Sequence, residues 1–115
     1  MYRTTVAIMF SFRTVIEEYA ATLAPPEASR ARGRAERKRY ADGSDRLEVT
    51  ARGLDVADGA SVQVYVDNLL VAEAAVKRGR LNVRLDTDVP RIAAGHRLEV
   101  RTNARALLRG VFLAE

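Results

Sequence analysis

From Leu47 to Arg101 the chain alternates apolar and polar side chains at every second residue, and this constrains the fold more than any other feature. Leu47, Val49 and Ala51 are interleaved with Glu48, Thr50 and Arg52, and Val62, Val64 and Val66 with Gln63 and Tyr65. Leu81, Val83 and Leu85 alternate with Asn82, Arg84 and Asp86, and Leu98 and Val100 with Glu99 and Arg101. A period of two puts the apolar set on one face of an extended strand and leaves the other face wet; a helix would scatter it around its axis. Turn dipeptides separate the runs: Asp42-Gly43, Asp58-Gly59, Asp67-Asn68 and Arg78-Gly79. No helical crossover lies between them, so neighbouring strands are expected to be antiparallel. The reading is a mainly β fold, one antiparallel β-sandwich of about seven or eight strands spanning residues 1–115. Its expected core is Leu47, Val49, Val62, Val64, Val66, Leu81, Val83, Leu85, Leu98, Val100 and Phe112.

Several stretches depart from the alternation or leave it ambiguous. Residues 69–76 (LLVAEAAV) and 106–114 (ALLRGVFLA) are apolar on both faces, which calls for cover on both sides or for a β-bulge, and Gly110 is a candidate bulge position. Residues 90–95 (PRIAAG) read as a loop with room for one helical turn. The apolar N-terminal segment, residues 1–24, supports two patterns. Ile8, Met9, Phe12, Val15, Ile16, Tyr19, Ala20 and Leu23 make a helical stripe, while Tyr2, Thr4, Val6, Ile8, Phe10 and Phe12 make a strand stripe. Pro25-Pro26 ends either element. On the strand reading, one strand opens the chain and a second, short one ends near Leu23.

Composition removes several chemistries. With no Cys and a single His, thiol catalysis, disulfides and structural zinc are excluded. There is no phosphate-cradling glycine-rich loop and no Gly-x-Ser-x-Gly elbow. Catalytic, cofactor and metal residues are therefore expected to be none. His96, between a Gly and a strand, suits a capping or packing role. Asp86 and Asp88, with His96, could line a sugar- or small-acid-binding loop, although solvated loop acids are the plainer reading. No apolar run is long enough for a membrane-spanning helix, and Val6–Phe12, closed by Arg13, is short for a signal peptide.

The charge is lopsided. Of a net +4, residues 30–40 (RARGRAERKRY) hold six basic side chains and one acidic, against thirteen basic and fourteen acidic elsewhere. The remainder thus promises no further basic surface. Read as a strand, the stretch turns Ala31, Gly33 and Ala35 inward and Arg32, Arg34, Glu36 and Lys38 outward. Arg37 and Arg39 break the inward set, so they belong near an end where the strand leaves the core. An Arg-rich strand also protects a sheet edge from edge-to-edge pairing. The alternative is a nucleic-acid-binding domain that uses Arg30, Arg32, Arg34, Arg37, Lys38 and Arg39 on phosphates. Of the aromatics, only Tyr40 and Tyr65 could serve as stacking platforms beside them.

The segments Ala21–Leu23, Pro25-Pro26, Gly33–Ala35 and Leu47–Leu54 resemble the opening of the chordin-like (CHRD) β-domains of bacterial exported proteins. These run as an Ala-x-Leu strand, a Pro-containing loop, Gly-x-Ala and a strand ending in Gly-Leu. The resemblance covers about a third of the chain, and the family's His-x-His is replaced by residues 62–68 (VQVYVDN). The later pattern, Val89-Pro90, Ala94–Arg101 and Leu107 to Phe112, resembles uncharacterised bacterial β-sandwich modules with a closing Leu-x-x-Gly-x-Phe strand. The resemblance implies an antiparallel sandwich without enzymatic activity, in an exported or cell-envelope setting, and no ligand carries over. The expected function is a non-catalytic structural or protein-interaction module. Ile8, Phe10 and Phe12 have little local chain to pack on, which favours self-association, as a homodimer that exchanges residues 1–24 between subunits.

Overall fold

The computed structural model describes residues 14–103 and 105–115. The described chain is all β: β1 (Val15–Leu23), β2 (Arg32–Tyr40), β3 (Asp45–Arg52), β4 (Ser61–Val66), β5 (Leu69–Ala75), β6 (Leu81–Leu85), β7 (Arg97–Thr102), β8 (Arg105–Val111) and the two-residue β9 (Leu113–Ala114). They form two antiparallel sheets, a five-stranded sheet ordered β6-β3-β2-β1-β9 and a four-stranded sheet ordered β5-β4-β7-β8. This is the expected sandwich, and among the described residues no helix is long and apolar enough to cross a membrane.

The strand reading holds for the described part of the N-terminal segment. β1 is a nine-residue strand, longer than the short one expected, and it pairs with β2 from Val15↔Tyr40 to Leu23↔Gly33. That ladder decides against the helical stripe, because cross-strand pairing and burial outweigh local propensity. Ala21 and Leu23 face the core while Thr22 faces out. Ile8, Phe10 and Phe12 lie outside the described residues.

The core sits between the sheets. Ten of the eleven expected core residues are buried; Leu85, at the end of β6, is partly buried and packs against the cluster. Leu23, Val76 and Leu108 are fully enclosed beside them. Each such side chain contributes about 2 kcal/mol, against about 0.5 kcal/mol for an exposed ion pair, so burial holds the sandwich together and surface charge is left for other work.

Both doubly apolar stretches carry a bulge. The β4–β5 register shifts between Val64 and Tyr65, leaving Val71 as the extra residue, and the β7–β8 register shifts between Val100 and Arg101, leaving Leu107. The second bulge turns both Leu107 and Leu108 inward. Gly110 is not the bulge residue. It lies where β8 crosses β1, and a Cβ there would collide with the Thr22 carbonyl oxygen. The neighbouring Ala24–Arg109 bridge closes this corner of the sandwich, with reciprocal N–H···O bonds of 3.0 and 2.9 Å. The loop after β6 makes no helical turn; it bends at Ala94-Gly95 and is pinned by the buried Ile92.

The turn dipeptides work as read. Asp67 and Asn68 both take positive φ (48° and 67°), as do Arg78 and Gly79 (52° and 72°), the backbone of a tight turn matched to strand twist. The 78–79 turn, with Lys77 bridged to Arg80, stands against Leu54, whose N–H donates to the Gly79 carbonyl at 3.0 Å.

Candidate functional site

The basic stretch is a central strand with its approach loop, not an edge: β2 runs between β1 and β3. Alternation therefore divides its cations between two faces. Arg32, Arg34 and Lys38 point out of the five-stranded sheet, while Arg37 and Arg39 point to the inner side and Arg30 lies in the loop before the strand. No single partner surface can meet all six at once.

The end of β2 near Tyr40 is saturated with carboxylates. Arg37 is 4% exposed, and its Nη1 lies 3.3 Å from Glu17 Oε1 and its Nη2 3.2 Å from Asp45 Oδ1. Arg39 Nε reaches the same Asp45 oxygen at 3.5 Å. Arg39 is exposed where the inner row leaves the core, as expected, whereas Arg37 is buried, and the acids of β1 and β3 pair with both. Arg37 Nε is buried without a hydrogen-bond partner among the described residues. On the outer side Asp86 accepts from Arg46 Nε at 2.9 Å and from Arg84 Nε at 3.1 Å, and the Arg46 hydrogen bond, ahead of the nearby Arg84 charge, holds its carboxyl below the usual range.

The opposite end is built differently. Here Arg32 is the register partner of Arg52, cation against cation on neighbouring strands, with Arg34 two residues along the same face. A shallow hollow on this face is lined by Arg32, Arg34, Thr50 and Arg52. A second hollow around the strand ends is lined by Ser29, Arg30, Gly53, Asp55 and Arg78. The two adjoin, because the loop before β2 folds against Gly53, where a Cβ would stand 2.9 Å from the Arg30 carbonyl oxygen. Lys77 and Arg80 flank Arg78 in the turn, and Arg105 lines the cleft beside Ser29 and Asp55. Among the described residues Arg30, Arg32, Arg52 and Arg78 have no ion pair within 4.0 Å; Arg34 has Glu115 at 2.9 Å and Glu36 at 3.7 Å. Arg32 Nη1 is steadied by the carbonyls of Ser29 and Ala31 at 3.2 and 2.6 Å, which fix its direction without neutralising it. The acids at this end are Glu27, Asp55 and Asp58, and Asp58 accepts the Arg78 backbone N–H at 2.8 Å. The rest of the chain, which by its overall charge promised no basic surface, supplies Arg52, Arg78 and the cations around them. A segment's net charge does not register which of its residues the turns bring together.

The outer face of β1 and β2 carries Glu18, Glu36 and Glu115, whose carboxylate oxygens lie within 4.8 Å of one another and are the described group that could hold a metal ion. Arg34 already bonds Glu115. Partial desolvation, then a hydrogen bond with Glu36 and the charges of Glu115 and Glu36, raise the Glu18 carboxyl above its ordinary 4.5, with Lys38 opposing.

Two of the three loop residues that could have formed a small-ligand site have other partners. Asp86 is held by its arginines, His96 Nδ1 accepts the Ala93 N–H at 3.3 Å within its own turn, and His96 Nε2 is nearest Asp67, at 3.9 Å. Capping is thus what His96 does. Neither tyrosine is an open platform: Tyr40 is buried, with the Arg46 guanidinium 5.7 Å from its ring centre, and Tyr65 is covered by Arg101 at 4.2 Å.

The large exposed apolar side chains lie away from the basic end. Ile16 (61% exposed), Val15, Val111 and Leu113 (64%) stand around the meeting of β1, β8 and β9, and Leu69 and Leu70 stand after the Asp67-Asn68 turn. β9 pairs with β1 only at Tyr19 and Ala20, and the Glu115 N–H adds a bond to Glu18. Among the described residues no strand pairs with that side of Val15–Glu17, where Val15, Ile16, Ala114 and Glu115 line a shallow hollow.

Compared with known proteins, the chain matches no family model and no curated protein.

Proposed function

We propose that the chain is a non-catalytic protein-interaction module that associates with a second copy of itself along the β1 edge. The observation that carries this reading is the β1 edge at Val15–Glu17, with which no strand pairs among the described residues and which is bordered by exposed Val15, Ile16 and Leu113. A strand edge with no described partner is a template for strand addition, and beside Glu17 and Glu18 this one presents Val15 and Ile16 and no lysine or proline. The occupant is residues 2–12 of the partner copy. Their alternation of Val6, Ile8, Phe10 and Phe12 would supply a strand with one apolar face, and in sequence the segment directly precedes β1. Exchange of an identical segment between two copies makes a closed, symmetric dimer.

Light scattering on the full chain at high micromolar concentration tests this. A dimer is expected, and Ile16→Lys with Leu113→Lys should return it to a monomer by setting charge on the edge. A monomeric wild-type chain in which residues 1–20 resist protease would overturn the reading, since the segment would then be satisfied within its own copy.

A further inference from the structure

We infer that the end of the sandwich formed by the loop before β2, the end of β3 and the 77–80 turn binds the phosphate backbone of double-stranded nucleic acid without reading its sequence. Three observations converge. Arg30, Arg32, Arg52 and Arg78 come from three separate parts of the chain and line two adjoining hollows, and among the described residues none of their guanidinium groups has an ion pair within 4.0 Å; the nearby Asp58 is bonded to the Arg78 backbone N–H. Arg32 and Arg52 are direct cross-strand partners, an arrangement that repels until an anion lies between or above them. Guanidinium groups present planar forks suited to phosphate oxygens.

The surroundings choose among polyanions. Single strands are usually held by stacking bases on aromatic rings, and no aromatic side chain lines either hollow. Anionic membranes are usually engaged by cations beside apolar side chains that enter the interface, whereas the large exposed apolar residues here lie elsewhere. What remains is a shallow cationic patch on a sheet face and its turns, with no helix among the described residues to enter a groove, which fits the backbone of a duplex. This inference is independent of self-association.

The test is the salt dependence of binding between the full chain and a labelled random-sequence duplex of about 20 base pairs, followed by anisotropy. Four phosphate contacts give a log–log slope of about −3.6. Arg30→Glu, Arg52→Glu and Arg78→Glu combined should lower affinity at least tenfold at low salt and flatten the slope. A control with the same charge change elsewhere, Arg91→Glu, Arg97→Glu and Arg109→Glu, should keep most of the affinity; circular dichroism confirms that both variants fold. A wild-type slope near zero, an equal loss in both variants, tighter binding to single strands, or binding to phosphatidylserine vesicles but not to the duplex would each overturn the inference.

Discussion

Strands β2 and β3 run side by side for eight register pairs, and the two ends of that ladder treat arginine in opposite ways. At one end Arg39 faces Asp45, and Arg37 is buried between Asp45 and Glu17. At the other Arg32 faces Arg52, with Arg30 and Arg78 nearby and no carboxylate paired to any of them among the described residues. The residue type is the same, and so are the strands. The saturated end has its arginines paired with carboxylates within the fold, so they act on stability, although Lys38 faces Arg46 there. The unsaturated end keeps its charge available, so its arginines cost a little stability and can act on a partner. Arginine content alone therefore says nothing about binding; the carboxylates within reach decide.

Substitutions at the two ends should separate these effects. Asp45→Ala removes the carboxylate shared by Arg37 and Arg39 and leaves a buried guanidinium half paired. A loss of about 2–3 kcal/mol in urea unfolding is expected, less than for a fully enclosed pair because Asp45 retains some solvent contact. Arg37→Met keeps the stem's volume and removes the buried Nε that lacks a partner, so stability should change by about 1 kcal/mol or less. A loss as large as that of Asp45→Ala would show that Arg37 contributes net attraction beyond packing. Arg52→Glu replaces a repulsive cross-strand pair by an attractive one and should stabilise the chain by about 0.5 kcal/mol while weakening duplex binding. If stability fell together with binding, the contrast between the two ends would be lost.

The smallest effect concerns the face between them. The Glu18 carboxyl is raised above 4.5 in the folded chain, so folding favours its protonated form. That contribution is full below pH 4.5 and is lost as pH rises through the folded value. Glu18→Gln should therefore raise the melting temperature slightly at pH 7, and the gain should disappear in acid. A gain that persists at pH 4 would mean that the substitution acts through packing and not through charge.

The sandwich was legible because burial writes itself into alternation: Val62, Val64 and Val66 point inward wherever the rest of the chain lies. The bulges at Val71 and Leu107 were legible only as one of two options, since two-sided apolar runs call for cover on both sides or for a bulge, and not in position. Gly110 shows why: its role is set by the Thr22 carbonyl, far away in sequence. The site was legible only in part. Alternation already set Arg37 and Arg39 apart from the outward Arg32 and Arg34. Nothing local could place Arg78 beside Arg30, because that depends on the 77–80 turn standing against Leu54 and on the preceding loop folding against Gly53.

The most direct measurement is a titration of isotopically labelled chain with a short duplex, following backbone amide and arginine side-chain resonances. Shifts should concentrate at Arg30, Arg32, Arg52, Gly53 and Arg78, while Arg37, Arg39 and Asp45 stay in place. Shifts spread evenly over both ends of the β2–β3 ladder, or confined to Arg37 and Arg39, would contradict the division of charge described here.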